Sequence, residues 1–119
     1  IRVQVVGDVL LRGTGIGRKS AVGKVCVAES LEDLQKNFTD GCILVLRAAR
    51  ADFVEYMKRA SAIVSEEAGL TSESAIVAIT LGIPTVVGSE HAADVLNNGE
   101  VVTVDASRGT IFRGAANAR

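Results

Sequence analysis

The sequence predicts an α/β fold in a single domain spanning residues 1–119, and three observations predict it. Short β-branched runs recur along the chain, helical stretches fall between them, and aromatic residues make up only 3%, which leaves Val, Ile, Leu and Ala to fill the core. A chain of 119 residues with 48% apolar content also has the length of one domain with one core.

Strands are expected at Val3–Val6, Lys24–Ala28, Ile43–Leu46, Ala62–Val64, Thr85–Val87, Val101–Asp105 and Thr110–Phe112. Three helices fit between them. Ser30 can cap the first, which runs to about Phe38 with Asp33 at its third position, and Asp52 can cap the second, with Glu55 three residues on. In that second helix Phe53, Met57 and Ala60 share a face, while Lys58 and Arg59 point elsewhere. The third helix, about Ser72–Leu81, has almost no polar face, because Ala75, Ile76, Val77, Ala78, Ile79 and Leu81 surround its axis. It is expected to be buried. Gly82 and then Pro84 mark its end, and Asn98-Gly99 reads as a tight turn into the strand at Val101.

Thirteen basic residues against fourteen acidic leave a formal charge of -1, which supplies no electrostatic drive toward nucleic acid or an anionic membrane. Neither is expected as a partner. The longest apolar stretches, such as Cys42–Leu46 and Ala75–Ile79, are too short to cross a bilayer. Cys26 and Cys42 each sit inside an apolar run, without the further ligands of a metal site, and read as buried free thiols of a cytosolic protein. The chain begins at Ile1 and its single Met is Met57, so it is expected to be a piece of a longer protein.

Gly13-Thr14-Gly15-Ile16-Gly17-Arg18-Lys19-Ser20 has the look of a phosphate loop but lacks its spacing. A P-loop needs Gly directly before Lys, and the dinucleotide fingerprint needs its third Gly three residues after the second. Residues 21–25 moreover continue into a strand rather than a helix, so this stretch reads as a glycine-rich entry into a hairpin. His91 has no nucleophile beside it and reads as a solvated or capping residue in a turn or short helix. Glu66 and Glu67, adjacent on an extended segment, point to opposite sides and read as a solvated edge.

The run Glu66-Glu67-Ala68-Gly69-Leu70-Thr71-Ser72-Glu73-Ser74-Ala75, followed by Leu81-Gly82-Ile83-Pro84-Thr85-Val86-Val87-Gly88, resembles the signature of the phosphoenolpyruvate-utilising enzymes. In that family two glycines, Thr, Ser or Cys, and then a histidine precede a small-residue helix, and the histidine carries a phosphoryl group between distant active sites on a swivelling domain. Hydroxyls at a helix N-terminus present donors there, and the helix dipole favours negative charge. Two positions depart from the pattern. Ala68 replaces the first glycine, and Glu73 occupies the histidine position. A carboxylate has no imidazole nitrogen to form a stable phosphoramidate, and an acyl phosphate is far more labile. Glu73 instead puts a permanent negative charge in the first helical turn, worth about 0.3–1 kcal/mol if exposed.

Asp8-Val9-Leu10, Gly13, Gly15 to Ala21, Gly23-Lys24, the strand from Gly41 to Leu46 and Val104-Asp105 with Phe112-Arg113-Gly114 are similar to the extra C-terminal sequence of pyruvate kinases from Gram-positive bacilli. The resemblance implies a swivelling β/β/α three-layer fold and a non-catalytic domain with a structural or allosteric role. By the same resemblance it is expected to pack against the catalytic body of a cytoplasmic, homotetrameric enzyme that transfers phosphoryl from phosphoenolpyruvate to ADP in glycolysis. Mg and K are expected in that kinase core; no cofactor, metal or catalytic residue is expected in this domain. Thr71, Ser72 and Glu73 are its candidate binding residues. Two alternatives stay open. A working phosphotransfer domain of a phosphoenolpyruvate synthase or phosphotransferase type needs His where Glu73 stands. An anion sensor at Thr71, Ser72 and the helix N-terminus has Glu73 repelling its ligand.

Overall fold

The computed structural model describes residues 3–4, 9–48, 50–68, 73–114 and 117–118. In chain order these form β1 (Val3–Gln4), β2 (Val9–Arg12), β3 (Thr14–Ile16), β4 (Ser20–Ala28), α1 (Leu31–Asn37), β5 (Ile43–Leu46), a 3-10 turn (Ala51–Phe53) leading into α2 (Val54–Met57), β6 (Ala62–Ser65), α3 (Glu73–Leu81), β7 (Thr85–Val87), α4 (Ala92–Val95), β8 (Val101–Asp105), β9 (Thr110–Arg113) and β10 (Asn117–Ala118).

Strand β4 belongs to two sheets. Its first half, Ser20 to Lys24, pairs antiparallel with β8, and its second half, Val25 to Ala28, pairs parallel with β5. The hydrogen-bonded order is β2-β9-β8-β4-β5-β6-β7-β3, with β5, β6 and β7 parallel. Since β2 and β3 are separated by Gly13 alone, one segment runs from the edge of the first sheet to the edge of the second and joins them there as β4 does at the other side. β1 and β10 pair separately, Val3 opposite Ala118.

This topology makes two cores. Val25, Ile43, Val45, Ala62, Val64, Val86, Val102, Val104 and Ile111 pack between the sheets, with Ala92 and Leu96. On the other face of the parallel sheet, Cys26, Cys42, Leu44, Leu46 and Ile63 pack against Leu34 of α1, Phe53, Met57 of α2 and Val77 of α3. The layers are therefore sheet, sheet and helices, the β/β/α arrangement that the family resemblance implies. Ile43 to Leu46 have no exposed surface, because the strand is covered on both faces, and each such side chain contributes about 1.5–3 kcal/mol.

α1 begins as its sequence predicts. Ser30 Oγ accepts from the Asp33 N–H at 3.2 Å, and Asp33 Oδ2 accepts from the Glu29 N–H at 2.9 Å, so the first turn is capped from both directions. Gly82, at φ 71, ends α3 with its N–H donated to the Ala78 carbonyl.

Four expectations need correction. Asp52 does not cap the second helix: it lies inside the 3-10 turn and pairs with Arg50 at 2.9 Å, while Phe53 and Met57 are buried as expected. The glycine-rich stretch does not enter a hairpin, since β3 pairs with β7 rather than with the next strand, β4. α3 is not buried all round, because it is the outer layer of the fold and Ile76, Ile79 and Leu81 face outward. Glu66 is not a solvated edge, since its carboxylate accepts the Ala93 N–H and faces Arg47. Of the expected strand Val3–Val6, the first two residues form β1 and the rest lie outside the described residues.

Candidate functional site

In β4-β5-β6 the register aligns Ala28 with Leu46 and Leu46 with Ser65. The residues that leave these strands at their carboxyl ends are Glu29, Arg47 and Glu66. A guanidinium thus stands between two carboxylates, at the end of a parallel sheet where α/β folds place their sites. Arg47 Nε donates to Glu29 Oε1 at 2.5 Å, Nη1 lies 3.3 Å from Glu66 Oε2, and Nη2 donates to Asp94 Oδ1 of α4 at 2.7 Å. Glu66 Oε2 also accepts the Ala93 N–H at 2.8 Å. The side chain of Glu66 is only 17% exposed. Its reading as a solvated edge is therefore wrong: it ties the start of α4 to the sheet.

The hydrogen bond from Arg47 holds the Asp94 carboxyl below its ordinary range, and Asp94 and Glu29 in turn push the Arg47 guanidinium up. Both are permanently charged near neutrality. His91 precedes α4 at φ 64 and is 77% exposed, with Nδ1 3.8 Å from Asp94 Oδ2, beyond hydrogen-bond reach. The group holds charges in place but carries no nucleophile, so its chemistry is that of an electrostatic clip.

α3 connects parallel neighbours β6 and β7, so it runs back along the sheet and starts near the same carboxyl ends. Glu73 is its first residue. Thr71 and Ser72, the other candidate binding residues, lie outside the described residues. At the ends of β6 and β7 the structure adds two residues that sequence reasoning did not single out. Ser65 and Ser89 are fully buried, their hydroxyls have no hydrogen-bond partner among the described residues, and the Ser89 N–H donates to the Ser65 carbonyl at 3.0 Å. No periodicity or spacing marks such serines in advance.

The glycine stretch has a structural use. The Gly13 N–H donates to the Gly109 carbonyl at 2.8 Å, and a Cβ on Gly13 would lie 2.5 Å from the Val87 carbonyl oxygen. These glycines let two sheet edges and the β8–β9 turn meet. Cys26 and Cys42 are both buried and free. A hydrogen bond with Cys42, reinforced by burial, pushes the Cys26 thiol up, and the same hydrogen bond pulls the Cys42 thiol down, so Cys26 is the one of the pair that holds its proton more firmly. Among the described residues no group of three or more His, Cys, Asp or Glu could hold a metal ion, and no helix is long and apolar enough to cross a membrane. A cleft of about 430 Å³ lies beside β2, lined by Val9, Leu10, Leu11, Arg12, Gly88 and Glu90.

Comparison with known proteins gives one family and a consistent set of relatives. The family described as PEP-utilising enzyme, mobile domain, matches residues 38–109. Pyruvate kinase of Bacillus licheniformis is 44% identical over 116 residues, which is 98% of this chain and 20% of that protein. The chain thus spans about a fifth of the length of the curated relatives it matches. Among solved structures, Thermococcus kodakaraensis aconitase X superposes with a TM-score of 0.65 at 23% identity, covering 88% of this chain and 98% of that one. Enzyme I (nEIt) gives 0.56 at 24% identity, covering 69% and 37%. Both are likenesses of fold.

Proposed function

The chain belongs to the mobile-domain family of PEP-utilising enzymes, and from that premise we propose that it is the non-catalytic C-terminal domain of a pyruvate kinase, one unit over residues 1–119 with a structural or allosteric role. The observation that carries the proposal is the 44% identity to a pyruvate kinase over 98% of the chain. In this reading the parent transfers phosphoryl from phosphoenolpyruvate to ADP in the cytoplasm as a homotetramer, Mg and K belong to its kinase core, and this domain packs on that body.

Glu73 separates this from a working phosphotransfer domain. It stands where the family carries its phosphorylated histidine, and a carboxylate cannot form the phosphoramidate that a carrier needs. Thr71, Ser72 and Glu73 are then a carrier site without its carrier. Their fixed negative charge also weighs against an anion sensor. The charge clip around Arg47 supports the same view, since its groups are engaged with one another.

Incubation with labelled phosphoenolpyruvate, with and without the phosphotransferase enzymes of the cell, tests the proposal. The chain is expected to take up no label. A stoichiometric, acid-labile phosphoryl adduct would overturn the non-carrier reading, whereas phosphate placed on Ser or Thr by a separate kinase is acid-stable and distinct from it.

A further inference from the structure

α3 is mostly apolar, with Thr80 a polar residue on its exposed side, and among the described residues it is covered on one side only. Ala75, Val77 and Ala78 are buried, whereas Ile76, Ile79 and Leu81 are 49%, 65% and 45% exposed. Beside them Val54, Lys58, Ile76, Val77, Thr80 and Leu81 line an open groove of about 230 Å³ between α2 and α3. A helix whose outer face meets water normally carries polar residues there. In α3 the single charge is Glu73, at its first position. Of the other exposed large apolar residues, Val9 and Val95 stand on separate elements and Val22 and Val101 are diagonal neighbours on the outer face of β4 and β8, so no other element carries more than one. Three on one helix beside a groove make a patch.

We propose that this face docks on an apolar surface of the remainder of a longer chain to which the domain is covalently joined; the inference rests on the reading of the chain as a pyruvate kinase domain. The size of the patch selects that occupant. A stable interface between separate molecules needs about 20–30 residues a side, and the groove with Ile79 falls far short, so a second free copy is not held here. A covalent connection raises the effective concentration to roughly millimolar, at which a small apolar patch suffices. The matched relatives supply such a body, since the chain spans only 20% of their length. The charge at the groove, Lys58, is already 3.4 Å from Glu55, so the partner surface needs no matching carboxylate.

The test places a thiol on the face with Ile79→Cys, and a control thiol elsewhere with Val22→Cys, in both the full-length parent chain and the 119-residue chain. N-ethylmaleimide is the probe; the native thiols are buried. The thiol introduced by Ile79→Cys is expected to react at least about tenfold more slowly in the full-length chain, as for a face closed nine-tenths of the time. The Val22→Cys thiol is expected to react alike in both. Equal rates for Ile79→Cys in the two chains overturn the inference. So does protection already present in the 119-residue chain that disappears on dilution, which assigns the face to a second copy. Pyruvate kinase activity of the same full-length samples reports separately on the reading beneath: activity without protection fails the docking face alone, and protection without activity fails the kinase reading alone.

Discussion

Gly15 passes so close to the turn between β8 and β9 that a Cβ on it would sit 1.7 Å from the carbonyl oxygen of Ala106. Backbone meets backbone at the place where β3 crosses from one sheet to the other, and there is no flexible side chain to move aside. Gly15→Ala is therefore expected to destabilise the chain by at least about 3 kcal/mol, the upper end of overpacking costs. Gly82→Ala, at φ 71 with open space around it, is expected to cost only about 1–2 kcal/mol. Urea midpoints at constant slope measure both, and equal losses would contradict this backbone contact between Gly15 and Ala106.

Arg47 holds Glu29, Glu66 and Asp94 together, so Arg47→Ala is expected to destabilise more than Lys36→Ala, which breaks only an exposed pair with Glu32. The effect depends on pH in a definite direction. The Asp94 pKa is lowered by the Arg47 hydrogen bond, so its contribution is present above the ordinary value of 3.8 and is lost as pH falls through the lowered one. Thermal midpoints of wild type and Arg47→Ala are expected to differ at neutral pH and to converge in strong acid. A difference that persists unchanged at acid pH would show that Arg47 acts by packing alone.

The elements that could be read from sequence are those whose surroundings are uniform. Ile43–Leu46, Thr85–Val87 and Val101–Asp105 have the predicted bounds, because a strand at the centre of a sheet shows as an unbroken or β-branched apolar run. β2 and β3 were not legible: Arg12, Gly13 and Gly15 break their pattern, and their partners β9 and β7 are far along the chain. α4 has four residues, too few to display a period. The role of Glu66 depends on Arg47 and Ala93, which lie 19 and 27 residues away, so adjacency to Glu67 was a misleading guide. Composition showed that α3 is apolar, but nothing local encodes which side of it faces outward.

Burial of Cys26 and Cys42 predicts that neither thiol reacts with an aromatic disulfide reagent in the folded chain, and that both react in strong urea. Since the Cys42 hydrogen bond and burial push the Cys26 thiol up, raising the pH to about 9 is expected to leave it unreactive. Rapid release of one equivalent from the native chain would mean that the strand pair β4-β5 opens far more readily than its packing implies.

A non-catalytic domain takes no part in the kinase chemistry of its parent. The direct measurement is steady-state kinetics of the full-length parent and of a truncation lacking these 119 residues, at saturating phosphoenolpyruvate and ADP, with tetramer content matched by sedimentation. The proposal predicts a catalytic rate within a few-fold of the parent, with changes confined to stability, assembly or effector response. A correctly assembled truncation that loses activity by orders of magnitude would contradict it, because the domain would then have to stabilise the transition state itself.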